Sequence, residues 1–162
     1  MENLYNAETG CCVRFDPAGW DGTEHVWQDK PFIADKITAV GHIPLNMGKV
    51  IRRCWDTIIA AEAATAAPPI MLCDETSPWK TLLYIETAKD VPAAAMTHIS
   101  GMFVSKVFEG PYKDAPKWYT QMAEFVQSKD KQAKQIYAYY TACPKCAEYY
   151  GKNYVVLLAR TD

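Results

Sequence analysis

Charge of one sign is what this chain lacks first. Of its 162 residues, 17 are Lys or Arg and 19 are Asp or Glu, and the basic ones are scattered rather than striped along a segment. Nucleic acids are met by clustered cations, so no nucleic-acid partner is expected. Long apolar runs are also missing, which excludes a membrane-spanning helix from the expectation. The start, "MENLYNAETG", is polar and acidic and does not place an apolar stretch behind a basic one. It has no signal-peptide pattern, and a cytoplasmic protein is expected. Histidine is scarce, at three residues, and no HExxH run, phosphate loop or serine elbow occurs. A Ser-His-Asp hydrolase is therefore not expected.

Cysteines and aromatic rings are plentiful: six Cys, five Trp and ten Tyr. In a reducing compartment six cysteines divide into buried small apolar residues, metal ligands and reactive thiols rather than a disulfide framework. The rings suit a small-molecule pocket and a core equally well.

Residues 1–30 hold no steady period, and "FDPAGWDG" (Phe15 to Gly22) reads as successive turns, so an irregular arm packed on the rest is expected. Residues 31–162 read as a single domain. A strand is expected from Phe32 to Ile43. The next segment, "MGKVIRRCWDTIIAAEAA", repeats Met47, Val50, Ile51, Cys54, Trp55, Ile58 and Ile59 at helical steps. Pro68 and Pro69 stop it, and strands follow at Ile70–Cys73 and Trp79–Ala88. A long strand at Met96–Glu109, bent or bulged at Gly101, leads to the turn "GPYKDAP" and a second helix with Trp118, Met122, Phe125 and Val126 on its apolar side. Strands at Ile136–Tyr140 and Asn153–Arg160 close the chain. Strand, helix, strand, strand thus occurs twice. The expected class is α+β: two βαββ-like halves forming a mostly antiparallel sheet, with two main helices on one face.

This order, with "FEGPY" (Phe108 to Tyr112) just before a helix that carries Trp118 and Tyr119, resembles the GyrI-like family of small-molecule-binding domains. The resemblance covers about residues 33–160 and implies an SHS2-type repeat with an aromatic cleft between its halves. Such clefts take drug-like organic molecules, and some members hydrolyse them. The segments "ETGCCVRFDPAGWDG", "HIPLNMG", "KVFEGPYKDAPKWY" and "CPKCAEYYGKNYVV" together are similar to a bacterial group labelled only "hydrolase". One feature departs from the family. Many GyrI-like domains carry a glutamate on the strand before the last, two residues ahead of a tyrosine; that strand here reads Ile136, Tyr137, Ala138, Tyr139.

Another acid must then anchor a ligand. Glu86 is the first candidate, because two residues from Tyr84 on a strand place both side chains on one face. Desolvation among rings would raise its pKa and suit it to activate water; a solvated strand end is its ordinary alternative. Glu109 is the second acid, with a hydrogen bond closing the "GPY" turn as its other role. His42, at a strand end in "GHIP", is preferred over His98 as a catalytic histidine. Trp79, Tyr84, Trp118, Tyr119, Tyr137 and Tyr139 are the expected ligand-binding rings, Trp118 being as well suited to the core. Trp55, Cys54 and Cys73 are assigned to the core.

Cys143 and Cys146, in "TACPKCAEYYGKN", have the two-residue gap that aims two sulfurs at one zinc ion, but a structural site needs four ligands. Cys11 and Cys12 would supply the other pair and tie the arm down, with His25 as a further ligand candidate. Two other readings stay open for the motif, disulfide exchange and a plain hairpin loop. The expected function is binding of a hydrophobic or aromatic small molecule, with its hydrolysis by water activated at a glutamate. No cofactor is required by that reading, and zinc is the one metal it admits. The alternatives are a non-catalytic sensing module and a cysteine-based zinc or thiol protein. Monomer and homodimer both remain open.

Overall fold

The structure, a computed structural model, describes residues 3–162 and divides the chain into two compact units. The first unit is Gln28–Ile99. It contains most of β1 (Thr23–Val40), then β2 (Ile43–Pro44), α1 (Met47–Ala60), β3 (Met71–Asp74), β4 (Lys80–Glu86) and the start of β5 (Met96–Glu109). Its strands lie in the order β2-β1-β4-β3, with antiparallel neighbours throughout. The helix α1 forms where the apolar period says, and it buries Val50, Cys54, Trp55 and Ile58. It ends at Ala60, before the expected Ala64, because Glu62 takes a positive φ of 53° and turns the chain. Cys54 Sγ donates to Asp35 Oδ2 at 3.4 Å, which puts α1 on the sheet face of Ile33, Asp35 and Ile37. Phe32 lies opposite Glu86 and Ala34 opposite Tyr84 in the ladder. These four residues therefore point away from α1.

The second unit joins residues 3–27 with Ser100–Asp162. It contains the remainder of β5, α2 (Ala115–Gln127), β6 (Gln135–Tyr140), α3 (Pro144–Tyr150) and β7 (Tyr154–Arg160). The strands run β6-β7-β5, again antiparallel, and the first residues of β1 join β5. In both units the last strand pairs with the other two: β4 lies between β1 and β3, and β7 between β5 and β6. The expected α+β class with a repeated strand, helix, strand, strand order is what the structure has.

On one face of the second unit's sheet, α2 stacks Trp118 on Phe108 with ring centroids 5.9 Å apart. By register, Phe103, Ser105, Tyr137, Tyr139 and Tyr154 point to the other face. That face is met by the arm. The Phe15 ring lies 6.0 Å from Tyr139 and 5.9 Å from Tyr154, and Trp20 lies 5.5 Å from Tyr139. Two local expectations change here. The first strand starts at Thr23 rather than Phe32, so the last residues of the arm are regular. The "CPKCAEYY" stretch is a short helix, because Pro144 fits its first turn and Gly151, at φ 73°, caps its end.

Among the described residues no helix is long and apolar enough to cross a membrane.

Candidate metal centre and aromatic face

The cysteine cluster is built from two local devices. Cys143 is the N-cap of α3 and Cys146 stands three residues on, so both sulfurs leave one side of the first helical turn. In the arm, the Thr9 hydroxyl accepts hydrogen bonds from the backbone N–H of Cys11 at 3.3 Å and of Cys12 at 3.2 Å. That turn, with Gly10 at φ 75°, holds Cys11 and Cys12 side by side with sulfurs 3.6 Å apart.

Tertiary packing brings the two devices together. All four sulfurs lie within 4.8 Å of one another, with Cys11 exposed, Cys12 and Cys143 half-buried and Cys146 buried. A zinc ion with Zn–S bonds of about 2.3 Å sets its tetrahedral sulfurs about 3.8 Å apart, so the cluster is close to the shape the ion requires. The surroundings orient the ligands. The Cys143 N–H donates to Cys12 Sγ at 3.4 Å, and Tyr150 Oη donates to the Cys12 carbonyl at 2.5 Å. The Arg14 guanidinium covers the Tyr150 ring at 4.5 Å.

Electrostatics point the same way. Burial pushes the Cys11 and Cys12 thiols up. Burial also acts upward on Cys146, but hydrogen bonds with Thr9, Cys143 and Cys12 outweigh it and bring this thiol down to about 7. Thiols this close oppose one another's ionisation, and a dication removes that opposition. An all-sulfur donor set in near-tetrahedral array fits zinc.

Beside the cluster lies the arm-covered aromatic face. His25 sits between Trp20 and Trp27, with centroids at 5.0 and 6.4 Å, and Trp27 packs on Phe103 at 4.7 Å. Its Nε2 is 2.7 Å from Ser105 Oγ, and burial lowers its pKa.

Over residues 2–161 the chain matches a family described as bacterial hydrolase. The chain belongs to that family. Similar solved structures include an uncharacterized conserved protein from Listeria innocua, at 11% identity and TM-score 0.63, covering 88% of this chain and 92% of that one. A hydrolase from Listeria innocua has 11% identity and TM-score 0.62 over the same shares. SAV2435 bound to tetraphenylphosphonium has 12% identity and TM-score 0.52, covering 88% of this chain and 94% of that one. At these identities the likeness is one of fold. No curated protein matches the chain at a significant level.

In this member of the bacterial hydrolase family the sequence-derived candidates fall into separate places. Glu86, with a side chain 13% exposed, is ion-paired to Lys30 at 2.7 Å, and half-buried Tyr84 shares its face. Trp79, just before β4, is 67% exposed. His42 is exposed, takes a positive φ of 68°, and places Nδ1 2.9 Å from the Glu75 carbonyl. His98 pairs with Asp90 at 2.8 Å. In the second unit, Glu109 is exposed with Lys152 3.9 Å away; the "GPY" turn is closed by Asn153, whose Nδ2 donates to the Gly110 carbonyl at 2.7 Å. Glu109, Glu148 and Lys152 line a shallow open depression of about 380 Å³ beside α3. Trp118 and Tyr137 are buried, Tyr119 and Tyr139 half-buried. Within this unit the fold joins Tyr139 to the arm rings and Cys11 and Cys12 to Cys143 and Cys146. His25, a further ligand candidate from the sequence, is not part of the four-cysteine cluster and pairs instead with Ser105, which sequence reasoning passed over. The signal for His25 was the alternation of half-buried Thr23, His25 and Trp27 with exposed Glu24, Val26 and Gln28, which the preceding turn residues masked.

Proposed function

We propose that this protein binds a hydrophobic small molecule and hydrolyses it, and that one zinc ion on Cys11, Cys12, Cys143 and Cys146 holds its N-terminal arm in place. The convergence of four sulfurs within 4.8 Å, from the arm and from α3, carries the metal part of this reading. A site closed by four thiolates is structural: it has no open position for substrate, and its binding energy goes into ordering the arm. The arm in turn carries Phe15 and Trp20 to Tyr139 and Tyr154, so the metal fixes aromatic surface.

Membership in a hydrolase-named family supports the chemical part, and the tetraphenylphosphonium bound to SAV2435 supports an apolar, aromatic ligand class. Within the first unit, Tyr84 is turned away from α1 and offers ring surface beside Glu86. Glu86 serves this reading best as the polar anchor, because its carboxylate lies on the face of Tyr84 and is held by the Lys30 ammonium at 2.7 Å.

Elemental analysis of untagged protein tests the metal. About one zinc per chain is expected, together with protection of Cys11, Cys12 and Cys143 from alkylation of the folded protein until a chelator is added; Cys54 and Cys73 are buried and resist alkylation in either case. Metal-free protein whose Cys11, Cys12 and Cys143 react without chelator would refute the site.

A further inference from the structure

The hydrogen bonds around His25 decide its tautomer. Ser105 is fully buried and its hydroxyl has one proton to give. The Trp20 carbonyl oxygen is 2.5 Å from Ser105 Oγ, a separation at which two oxygens need a proton between them. That proton is therefore committed to Trp20. The other short contact of Ser105 Oγ, to His25 Nε2 at 2.7 Å, is then made by a proton on Nε2. Nδ1 is left with its lone pair. Among the described residues no protein group meets Nδ1, and it reaches solvent. The ring is held between Trp20 and Trp27, both half-buried and so partly open to an apolar ligand.

We propose that His25 Nδ1 is the general base that activates water for hydrolysis of a neutral aromatic ester resting against Trp20 and Trp27. This rests on the hydrolytic reading above and gives it a proton acceptor. The water oxygen bonds to the ester carbonyl carbon while one water proton passes to Nδ1. As the tetrahedral adduct collapses, the bond from carbon to the aryloxy oxygen breaks, and the imidazolium returns its proton to the leaving oxygen. A carboxylic acid and a phenol result, and the enzyme is restored. Ser105 is a positioning residue in this scheme. Its donated proton to Trp20 fixes its oxygen as an acceptor, which holds Nε2–H and supports the imidazolium once it forms. Burial of His25 keeps the resting ring neutral, the form a base needs.

The test uses zinc-replete protein and two probes, p-nitrophenyl acetate and p-nitrophenyl butyrate, followed through many turnovers so that a stoichiometric burst from thiols is not counted. His25→Gln keeps a donor for Ser105 and should fold as the parent does by circular dichroism. It is expected to lose at least about 100-fold in kcat with KM little changed. His25→Ala should be inactive and regain part of its rate when imidazole is added to the buffer. Ser105→Ala should lose about tenfold in kcat. If the parent turns over the esters and His25→Gln keeps its rate, or imidazole restores nothing, His25 is not the base and hydrolysis must use another group. A parent inert towards both esters overturns ester hydrolysis itself, and the zinc content is read independently of that result.

Discussion

Replacing Cys146 by Ser removes one of the four sulfurs and is the sharpest probe of the metal's role. Structural zinc in peptides binds with about 10–16 kcal/mol, so one ligand of four accounts for about 3 kcal/mol, close to a 100-fold loss of affinity. In a buffer whose free zinc is about 100 times the parent's Kd, the ion stabilises the parent by about 2.7 kcal/mol, and the variant by little. For a chain of 162 residues this corresponds to a zinc-dependent fall in Tm of about 5–10 °C. The substitution has its own cost, since Cys146 is buried and a serine hydroxyl would have to be satisfied there. Thermal denaturation is therefore run twice, in buffered zinc and in excess chelator. The expected result is a large gap between parent and variant in zinc that shrinks in chelator. Amide exchange in residues 8–14 should rise on chelation, because Tyr150, Cys143 and the thiols hold this stretch, whereas Phe15 and Trp20 pack on Tyr139 and Tyr154. A gap of equal size in both buffers, with exchange unmoved by chelation, would refute the reasoning.

Two further outcomes follow from the fold. The Asp35 carboxyl is pushed up by burial, but hydrogen bonds from Arg53, from the Lys36 N–H and from Cys54 outweigh this and hold it below the usual carboxylate range. A lowered folded-state pKa stabilises the native protein above the unfolded value, and that stabilisation is lost as the pH falls through the folded one. Arg53 is 57% exposed, so the pair is screened and Asp35→Asn should cost only about 0.5–1 kcal/mol in urea denaturation at pH 7. The cost should shrink as the pH is taken below the ordinary carboxylate range and through the folded value, and a cost that stays the same from pH 7 into acid would contradict the assignment. Gly101 takes φ 145°, and a Cβ there would meet Asp162 Oδ1 at 2.9 Å and Arg160 Nε at 3.0 Å. Gly101→Ala should therefore destabilise by about 1–3 kcal/mol, and a neutral effect in the same assay would show that β5 relaxes at this point.

Most of the local structure was legible in the chain. The apolar stripe from Met47 to Ile59 specified α1, Trp118, Met122 and Val126 specified α2, and Met96–Glu109 emerged as one strand with its bend at Gly101. These patterns are local, and the side chains that make them are the ones that the elements bury. What escaped was decided by competition between neighbours. The alternation in Thr23–Gln28 was hidden behind turn residues, β2 is two residues long, and α3 has a single buried residue. A helix that short is specified by its caps rather than by a period.

The candidate site divides the same way. Spacing alone placed Cys143 and Cys146 on one side of a turn, and adjacency alone kept Cys11 with Cys12. Each pair was half a metal site, and nothing along the chain said that they meet. The contact from Cys143 to Cys12 spans 131 residues, and it exists because the rings of Phe15 and Trp20 cover the face of Tyr139 and Tyr154 and carry the arm to α3. His25 shows the same limit more sharply, since its protonation depends on a hydroxyl 80 residues away and on where that hydroxyl sends its proton. Thus the sequence by itself determined the elements, their repeated order and the two thiol pairs, all of which rest on side chains a few positions apart. Only the tertiary structure decided which pairs of thiols meet and which imidazole nitrogen stays free, because both depend on hydrogen bonds and packing between segments far apart in the chain.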